Sequence, residues 1–447
     1  MELKALKRAA EKRASELGVS DYEVFYKSYL DTSVETLNGE ISNFSSSATG
    51  GISVRVIRGG KLGYASSELI NEQSVTSLVE IAAENAKYVD RCDEVGLFSG
   101  SPVYNKGEKP EYKEKTAAEL KELALSVSSS AYAVSDCVTD GTTSAAGSTG
   151  FCVSLFNSKG LSLSTEGGFS YVYCETIIES DGESQSGFSV EEVGDGFDSS
   201  SLAKKSVDEA LSKVGAKLIP TGKYSVVIDG KQMRALLSAF SPAFSAKNAQ
   251  MGMSLLSGKE GERVASEVIT LTDDPMREEL SVGTFFDAEG VSAERKCVIE
   301  RGVLCTLLHN RETARRAGIE STGNASKQGY ASPIGISPYA FCIEAGDKTL
   351  DELFSLADGG IYITEVKGLH AGANAVTGDF SIESAGYLIE NGKKGTPIKS
   401  FTISGNFFEL LKNVSCVSDK LELGLPGVFT TYGSPAVLVK NMNVAGE

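Results

Sequence analysis

Histidine is nearly absent from this sequence: the 447 residues contain two, His309 and His370. Most catalytic zinc sites and most nucleophile–base pairs depend on imidazole. Chemistry of that kind must therefore be done differently here or be supplied by a partner. The two histidines stand far apart, which excludes a helix of the H-E-x-x-H type. Other signatures are missing too. There is no G-x-S-x-G elbow, no P-loop and no C-x-x-C pair, and Gly194-Asp-Gly196 continues into Phe-Asp-Ser without a third glycine. Positive charge is short: 43 Lys and Arg face 60 Asp and Glu, a formal charge of −17. Non-specific nucleic-acid binding needs clustered cations, so it is not expected. No run of about 18 uncharged apolar residues occurs, so no membrane span is expected. The N-terminal stretch is charged throughout and does not read as a secretory signal. The eight cysteines, Cys92 among them, are scattered. They read as reduced thiols of a cytoplasmic protein.

What is present reads as an ordinary globular chain, 41% apolar and 23% charged, long enough for two domains. Leu3, Leu6, Ala10, Ala14 and Leu17 give helical spacing, closed by Gly18. Strand runs follow at 23–30 and 33–37, then Asn38-Gly39 as a hairpin turn, alternation at Ile52, Val54 and Val56, a Gly59-Gly60 turn, and Leu62 and Tyr64. Helical patterns cover 72–89 and 117–133, with a proline-containing loop at 99–113 between them. A second meander spans 138–179 with a turn at 157–160. Residues 181–196, with Asp181, Glu183, Glu191, Glu192 and Asp195, read as a solvated acidic loop that lacks calcium-loop spacing. A helix at 201–214 closes the half. The order helix–meander–helix occurs twice, which suggests an internal duplication. A Pro/Gly break at 217–222 divides residues 1–220 from 221–447. The second part is β-rich, with strands expected near 224–228, 264–271, 339–345, 361–366, 380–389, 398–403 and 436–439, and short helices near 231–240, 311–317 and 406–414. The expected class is α+β: an N-terminal helix/β-meander domain, then a mostly antiparallel C-terminal domain with short helices.

The second half carries glycine-rich strings where tight turns or close backbone approach are needed. They are Val264-Ala-Ser…Thr272-Asp-Asp-Pro275, Phe285-Phe-Asp-Ala-Glu-Gly-Val291, Leu308-His-Asn-Arg-Glu-Thr-Ala-Arg315 with Ser321-Thr-Gly-Asn-Ala325, and Gly368-Leu-His-Ala-Gly-Ala-Asn-Ala-Val-Thr-Gly-Asp-Phe380. Together with Gly51-Ile-Ser-Val-Arg-Val-Ile57 and Gly60-Lys-Leu-Gly-Tyr-Ala65, this ordered set resembles the TldD/PmbA (modulator of DNA gyrase) family over nearly the whole chain. The resemblance implies a zinc-peptidase assembly acting on unfolded or short peptides. In the TldD branch an H-E-x-x-x-H helix holds zinc with a late cysteine; the PmbA, or TldE, branch lacks the motif. The matching window here is Ser238, Ala239, Phe240, Ser241, Pro242 and Ala243, with no ligand or base in it and a proline that ends the helix. Cys416 would be left without co-ligands and reads as structural. The resemblance is therefore to the PmbA branch. It implies no cofactor on this chain, zinc on a TldD-like partner, and an extended peptide as substrate.

Other residues admit two readings. His370, Asn374, Asp379 and Phe380 form a candidate substrate or interface loop, or a turn in which Asp and Asn bond their own backbone. His309 reads as a satisfied structural histidine, and Asp273-Asp274 as a strand-ending turn. Asp287 and Glu289, one residue apart on a strand, would share a face as a carboxylate pair. Two alternatives stand beside the subunit reading: an independent hydrolase with unrecognised catalytic groups, and a non-enzymatic peptide-binding homodimer.

Overall fold

The computed structural model describes residues 3–90 and 95–446; Cys92 lies outside the described residues. The first half runs α1 (Leu3–Glu16), β1 (Asp21–Leu37), β2 (Glu40–Arg58), β3 (Lys61–Ser67), α2 (Glu72–Asn85), then α3 (Ala117–Val134), β4 (Thr143–Asn157), β5 (Ser162–Ser180), β6 (Glu183–Glu192), α4 (Ser199–Ser212). The strands form one antiparallel sheet in the order β3-β2-β1-β4-β5-β6. The two α-β-β-β-α units meet where β1 pairs with β4.

Turn chemistry accounts for the hairpins. Asn38 and Gly39 both have positive φ (54° and 83°), as a type I′ turn requires. One sheet face is covered by helices. Leu6, Ala10 and Ala14 of α1 and Val75, Leu78 and Val79 of α2 bury against Val24, Ile52, Val54 and Val56. Leu120, Ala124 and Val127 of α3 and Leu202, Val207 and Ala210 of α4 bury against Val34, Ala146 and Val172.

Three expectations fail in this half and the next. β1 is one continuous strand rather than two runs. Asp31 sits on the face away from the helices, so the charge does not interrupt the pairing. Residues 183–192 are a strand, not a loop. Their serine and glutamate residues occupy a sheet edge, where polar side chains meet water. The expected strand over 264–271 is confined to Leu271–Asp273. Val264, Ala265 and Ile269 are buried core residues of irregular backbone, so their spacing reflects burial and not pleating.

In the second half β7 (Gly222–Ile228) leads into α5 (Gly230–Phe240). β7 lies between the strands Ile361–Lys367 and Val437–Ala445. The ring continues through Asp379–Glu390 and Lys393–Asn406. It closes when Thr402, Ile403 and Ser404 pair with Ala445, Val444 and Asn443. A second six-stranded sheet contains Leu271–Asp273, Ala340–Ile343 and Thr431–Ser434. Between these sheets α5 buries Met233, Leu236, Leu237 and Phe240, a helical i, i+3, i+4, i+7 stripe. The Phe240 ring stacks on Phe407 at 4.6 Å. The class is α+β with mostly antiparallel sheets, as expected.

The two N-terminal units share a packing device. A Cβ on Gly63 of β3 would stand 1.8 Å from the Ala82 carbonyl oxygen and 2.6 Å from the Ala86 nitrogen of the covering helix. A Cβ on Gly187 of β6 would stand 2.0 Å from Ser206 O and 2.7 Å from Ala210 N. Both glycines thus let a helix lie directly on its strand. Gly63→Ala and Gly187→Ala should each destabilise by about 1–3 kcal/mol, the usual cost of overpacking. Gly194→Ala, where no atom lies within 4 Å, should be near neutral in the same urea titrations.

A candidate site under the N-terminal sheet

The sheet face turned away from the helices presents Glu23, Phe25, Lys27, Tyr29 and Asp31 on alternate positions of β1. Ser53 and Arg55 of β2 lie beside Phe25 and Glu23, and Tyr64 of β3 beside Arg55. C-terminal segments around Phe286, Lys327, Tyr339 and Phe429 cover this part of the face and leave a cavity of about 790 Å³ between them. Phe25, Phe151, Val153, Phe285 and Phe286 pack around it.

Charge buried this way needs internal partners. The Arg55 guanidinium holds Glu23 at 2.6 Å and 2.8 Å. Lys27 Nζ donates to the carbonyls of Lys327 at 2.9 Å and Gln328 at 3.1 Å. Lys327 Nζ donates to Ser53 Oγ at 2.7 Å and Tyr64 Oη at 3.2 Å, and lies 4.5 Å from the centre of the Phe25 ring. Three of the glycine-rich strings converge on the same wall. Asp287 Oδ1 accepts the backbone N–H groups of Glu289 and Val291, both at 2.9 Å, and Oδ2 accepts that of Ala325 at 3.0 Å. Asp273 Oδ2 accepts from Asn324 Nδ2 at 2.7 Å and faces Lys296 at 3.2 Å, while Oδ1 accepts the Tyr339 N–H at 2.6 Å. Gly290 (φ 82°) and Gly323 (φ 68°) adopt left-handed backbone in two of these strings.

Burial sets the titration of the site. It pushes Lys327 down to about 7, reinforced by Arg55 and Lys27, and Lys27 down to about 8. It pushes Asp287 up to about 7, reinforced by Glu289 and opposed by the three backbone donors. Tyr339, fully enclosed, is raised well above the usual phenol value. The cavity therefore offers amines and a carboxyl that can change charge near neutrality, as functional sites do.

Of the sequence-selected residues, Asp287 lines the cavity and the others lie outside its lining. Asp287 and Glu289 sit in a turn, not on a strand, because Asp287 folds the chain back through its own backbone bonds. Glu289 accepts the Arg311 N–H at 2.8 Å and lies near enough to Asp287 to raise its titration. Asp273 ends its strand as expected but is wholly buried within the second sheet. In the window, Phe240, Ser241 and Ala243 are buried, Ser238 and Ala239 are half-buried, and Pro242 opens a 3₁₀ turn after α5. Ser241 Oγ is engaged with the Ser238 carbonyl at 2.9 Å and Tyr432 Oη at 2.9 Å. Cys416 packs at the margin of a separate apolar cluster around Val227 and Leu438. His370 is exposed on the short helix Leu369–Gly372. Asn374 Oδ1 accepts the N–H groups of Val376 and Thr377, Asp379 accepts from Asn406 Nδ2 at 3.0 Å, and Phe380 is buried edge-on to Phe240. His309 is buried, which depresses its imidazole, and among the described residues its Nδ1 finds no hydrogen-bond partner, so the expected satisfied histidine is not fully satisfied. Sequence reasoning missed Lys27 and Lys327. The available signal was a lysine flanked by aromatics on a strand, Phe25-Tyr-Lys27-Ser-Tyr29, and one two residues after the Ser321–Ala325 string.

A depressed lysine has a consequence for stability. Lys327 binds fewer protons folded than unfolded between pH 7 and 10.5, so its contribution becomes more favourable as pH rises through that interval. The stability of wild type relative to Lys327→Met should therefore increase with pH above 7, with a slope of at most about 1.4 kcal/mol per pH unit. Urea unfolding of both proteins across that interval measures it, and a pH-independent difference contradicts the buried-amine account.

Comparison with known proteins places this architecture. Family models match residues 22–86 (PmbA/TldA metallopeptidase domain 1), 110–217 (central domain) and 221–446 (C-terminal domain). An uncharacterised protein of Methanocaldococcus jannaschii is 30% identical, over 95% of this chain and 96% of its own length. Metalloprotease PmbA of Escherichia coli O157:H7 is 24% identical, over 95% of this chain and 92% of its own. TldD homologues of Buchnera aphidicola and Haemophilus influenzae match over 55% of this chain at 28% and 30% identity. Among solved structures, a protein described as a modulator of DNA gyrase from Thermotoga maritima superposes with a TM-score of 0.90 at 28% identity, covering 99% of this chain and all of that one. TldE from Thermococcus kodakarensis gives 0.89 at 25% identity, covering 99% and 100%. This chain belongs to the PmbA/TldD metallopeptidase family.

Proposed function

We propose that this chain is a PmbA/TldE-type subunit of a zinc-dependent peptidase assembly, holding unfolded or short peptides while a TldD-like partner supplies the metal. The observation that carries this reading is the chemistry of the Ser238–Ala243 window. It offers two hydroxyls and no imidazole, carboxylate or thiolate, a donor set that does not fit zinc. Its backbone leaves α-helical geometry at Ser241, and its Phe240 side chain is committed to the aromatic core. Among the described residues, no group of three or more His, Cys, Asp or Glu side chains is arranged to hold a metal ion. Similarity over about nine-tenths or more of both chains to proteins named PmbA and TldE supports the same branch. No described helix is long and apolar enough to cross a membrane. The seven described cysteines are free thiols, which accords with a cytoplasmic setting.

The purified chain alone should leave unstructured peptides uncleaved. Adding a TldD-like chain from the same cell should produce cleavage that a chelator stops. Co-purification from that cell should recover that partner rather than a second copy of this chain. A second reading, an independent metal-free hydrolase, rests on the near-neutral Lys27, Lys327 and Asp287 in the cavity. Cleavage by the isolated chain that survives chelation and is lost in Lys327→Met would favour it and overturn the first.

A further inference from the structure

The sheet face that lines the cavity is only half covered. On the helix side of the same strands, Thr32, Val34, Thr36, Ala146, Val172 and Cys174 are buried. On the cavity side, Ser33, Glu35, Tyr171 and Tyr173 are half-buried, and Glu175 and Phe188 are exposed. The register brings these residues into one surface, since Ala145 pairs with Tyr173, Gly147 with Tyr171, and Glu175 with Phe188.

Two features of this open half point to its occupant. The first is aromatic. Phe169 and Tyr171 lie 6.2 Å apart, Tyr173 and Phe188 5.8 Å apart, and the Tyr171 ring rests over Gly147, where a Cβ would meet it at 2.5 Å. The second is charge. Asp31, Glu35, Glu175, Glu179 and Glu192 share this face, and none has an ion-pair partner among the described residues. The face-sharing positions of β1 from Tyr29 to Leu37, of β4 from Thr143 to Thr149, and of β5 and β6 carry no lysine or arginine. Glu191, on the opposite face, is by contrast paired with Lys205 of α4. Tyr29, Asp31 and Thr149 also line the cavity, so the open half and the enclosed half are continuous.

We propose that this uncovered acidic and aromatic face binds a cationic, extended peptide segment that leads into the cavity. Carboxylates attract the cations, and the rings receive ammonium or guanidinium groups on their faces. In an extended segment alternate side chains point the same way at roughly 7 Å spacing. That matches the row Phe169, Tyr171, Tyr173 and Glu175 along β5. A second copy of this chain is disfavoured as the occupant, because two such faces would oppose carboxylates without counter-charge. The inference rests on the peptide-handling reading and names its substrate class.

The test uses the full chain and a fluorescent peptide alternating arginine with glycine, with serine and glutamate counterparts, read by anisotropy at low and physiological ionic strength. The arginine peptide should bind, more weakly in salt, and its two counterparts should not. Glu35→Gln with Glu175→Gln should weaken binding about fivefold or more, and Tyr173→Ala by about two- to tenfold with Tyr173→Phe near wild type. Glu122→Gln with Glu262→Gln, exposed elsewhere, makes the same change in net charge and should cost less than about twofold. Thermal unfolding of each variant checks that the sheet is intact. Equal loss in both double variants, equal binding of the serine peptide, or peptide-independent dimerisation abolished by the Glu35 and Glu175 changes would overturn the proposal. If those results came with intact stimulation of a TldD-like chain, only this inference would fall and the subunit reading would stand.

Discussion

The structure depends on charge enclosed between the N-terminal sheet and the C-terminal half. A sheet face bearing Glu23, Lys27 and Arg55 cannot be covered by another layer unless that layer supplies hydrogen-bond partners. It does so through the carbonyls of Lys327 and Gln328, the amine of Lys327 and the backbone turns around Asp287. These bonds join the two halves. Removing a single member of such a network leaves the others buried and unpaired, which is typically costlier than the pair's net contribution. The amines are bonded well enough to stay buried, yet burial holds them near neutrality, so the same arrangement that joins the halves also keeps the cavity lining titratable.

The second feature is the end of α5. α5 runs from β7 toward the interior, and its last turn is filled by Phe240 stacked on Phe407 and edge-on to Phe380. Aromatic packing at this point stabilises the helix end through burial and ring geometry. On the proposed reading, the work of this chain lies in its surfaces and its cavity rather than in that helix.

Much of the fold was legible in the sequence because its signals are local. Asn38-Gly39, the alternation through Val54 and Val56, and the stripe Met233, Leu236, Leu237 and Phe240 each dictate one element without help from the rest. The failures share a cause. Residues 183–192 look like loop because a sheet edge tolerates serine and glutamate, and 264–270 looked like strand because burial alone can produce apolar runs. The site was only partly legible. The glycine-rich strings marked the wall of the cavity, but Asp273, Asp287 and Asn324 meet only through tertiary folding. Lys27 and Lys327 are separated by 300 positions, so no local pattern could pair them. The loop with His370 and Asn374 drew notice for its residue types, yet its polar groups are largely spent on its own turn.

The central claim is that this polypeptide gives shape and contact to a peptidase assembly whose metal resides on another chain. The most direct measurement is zinc content per polypeptide, by elemental mass spectrometry, after the pure protein has been equilibrated with excess zinc and then desalted. The account predicts far less than one ion retained per chain, with no change in unfolding temperature. One tightly held zinc per chain, raising that temperature and lost on mutation of residues in the C-terminal half, would contradict it.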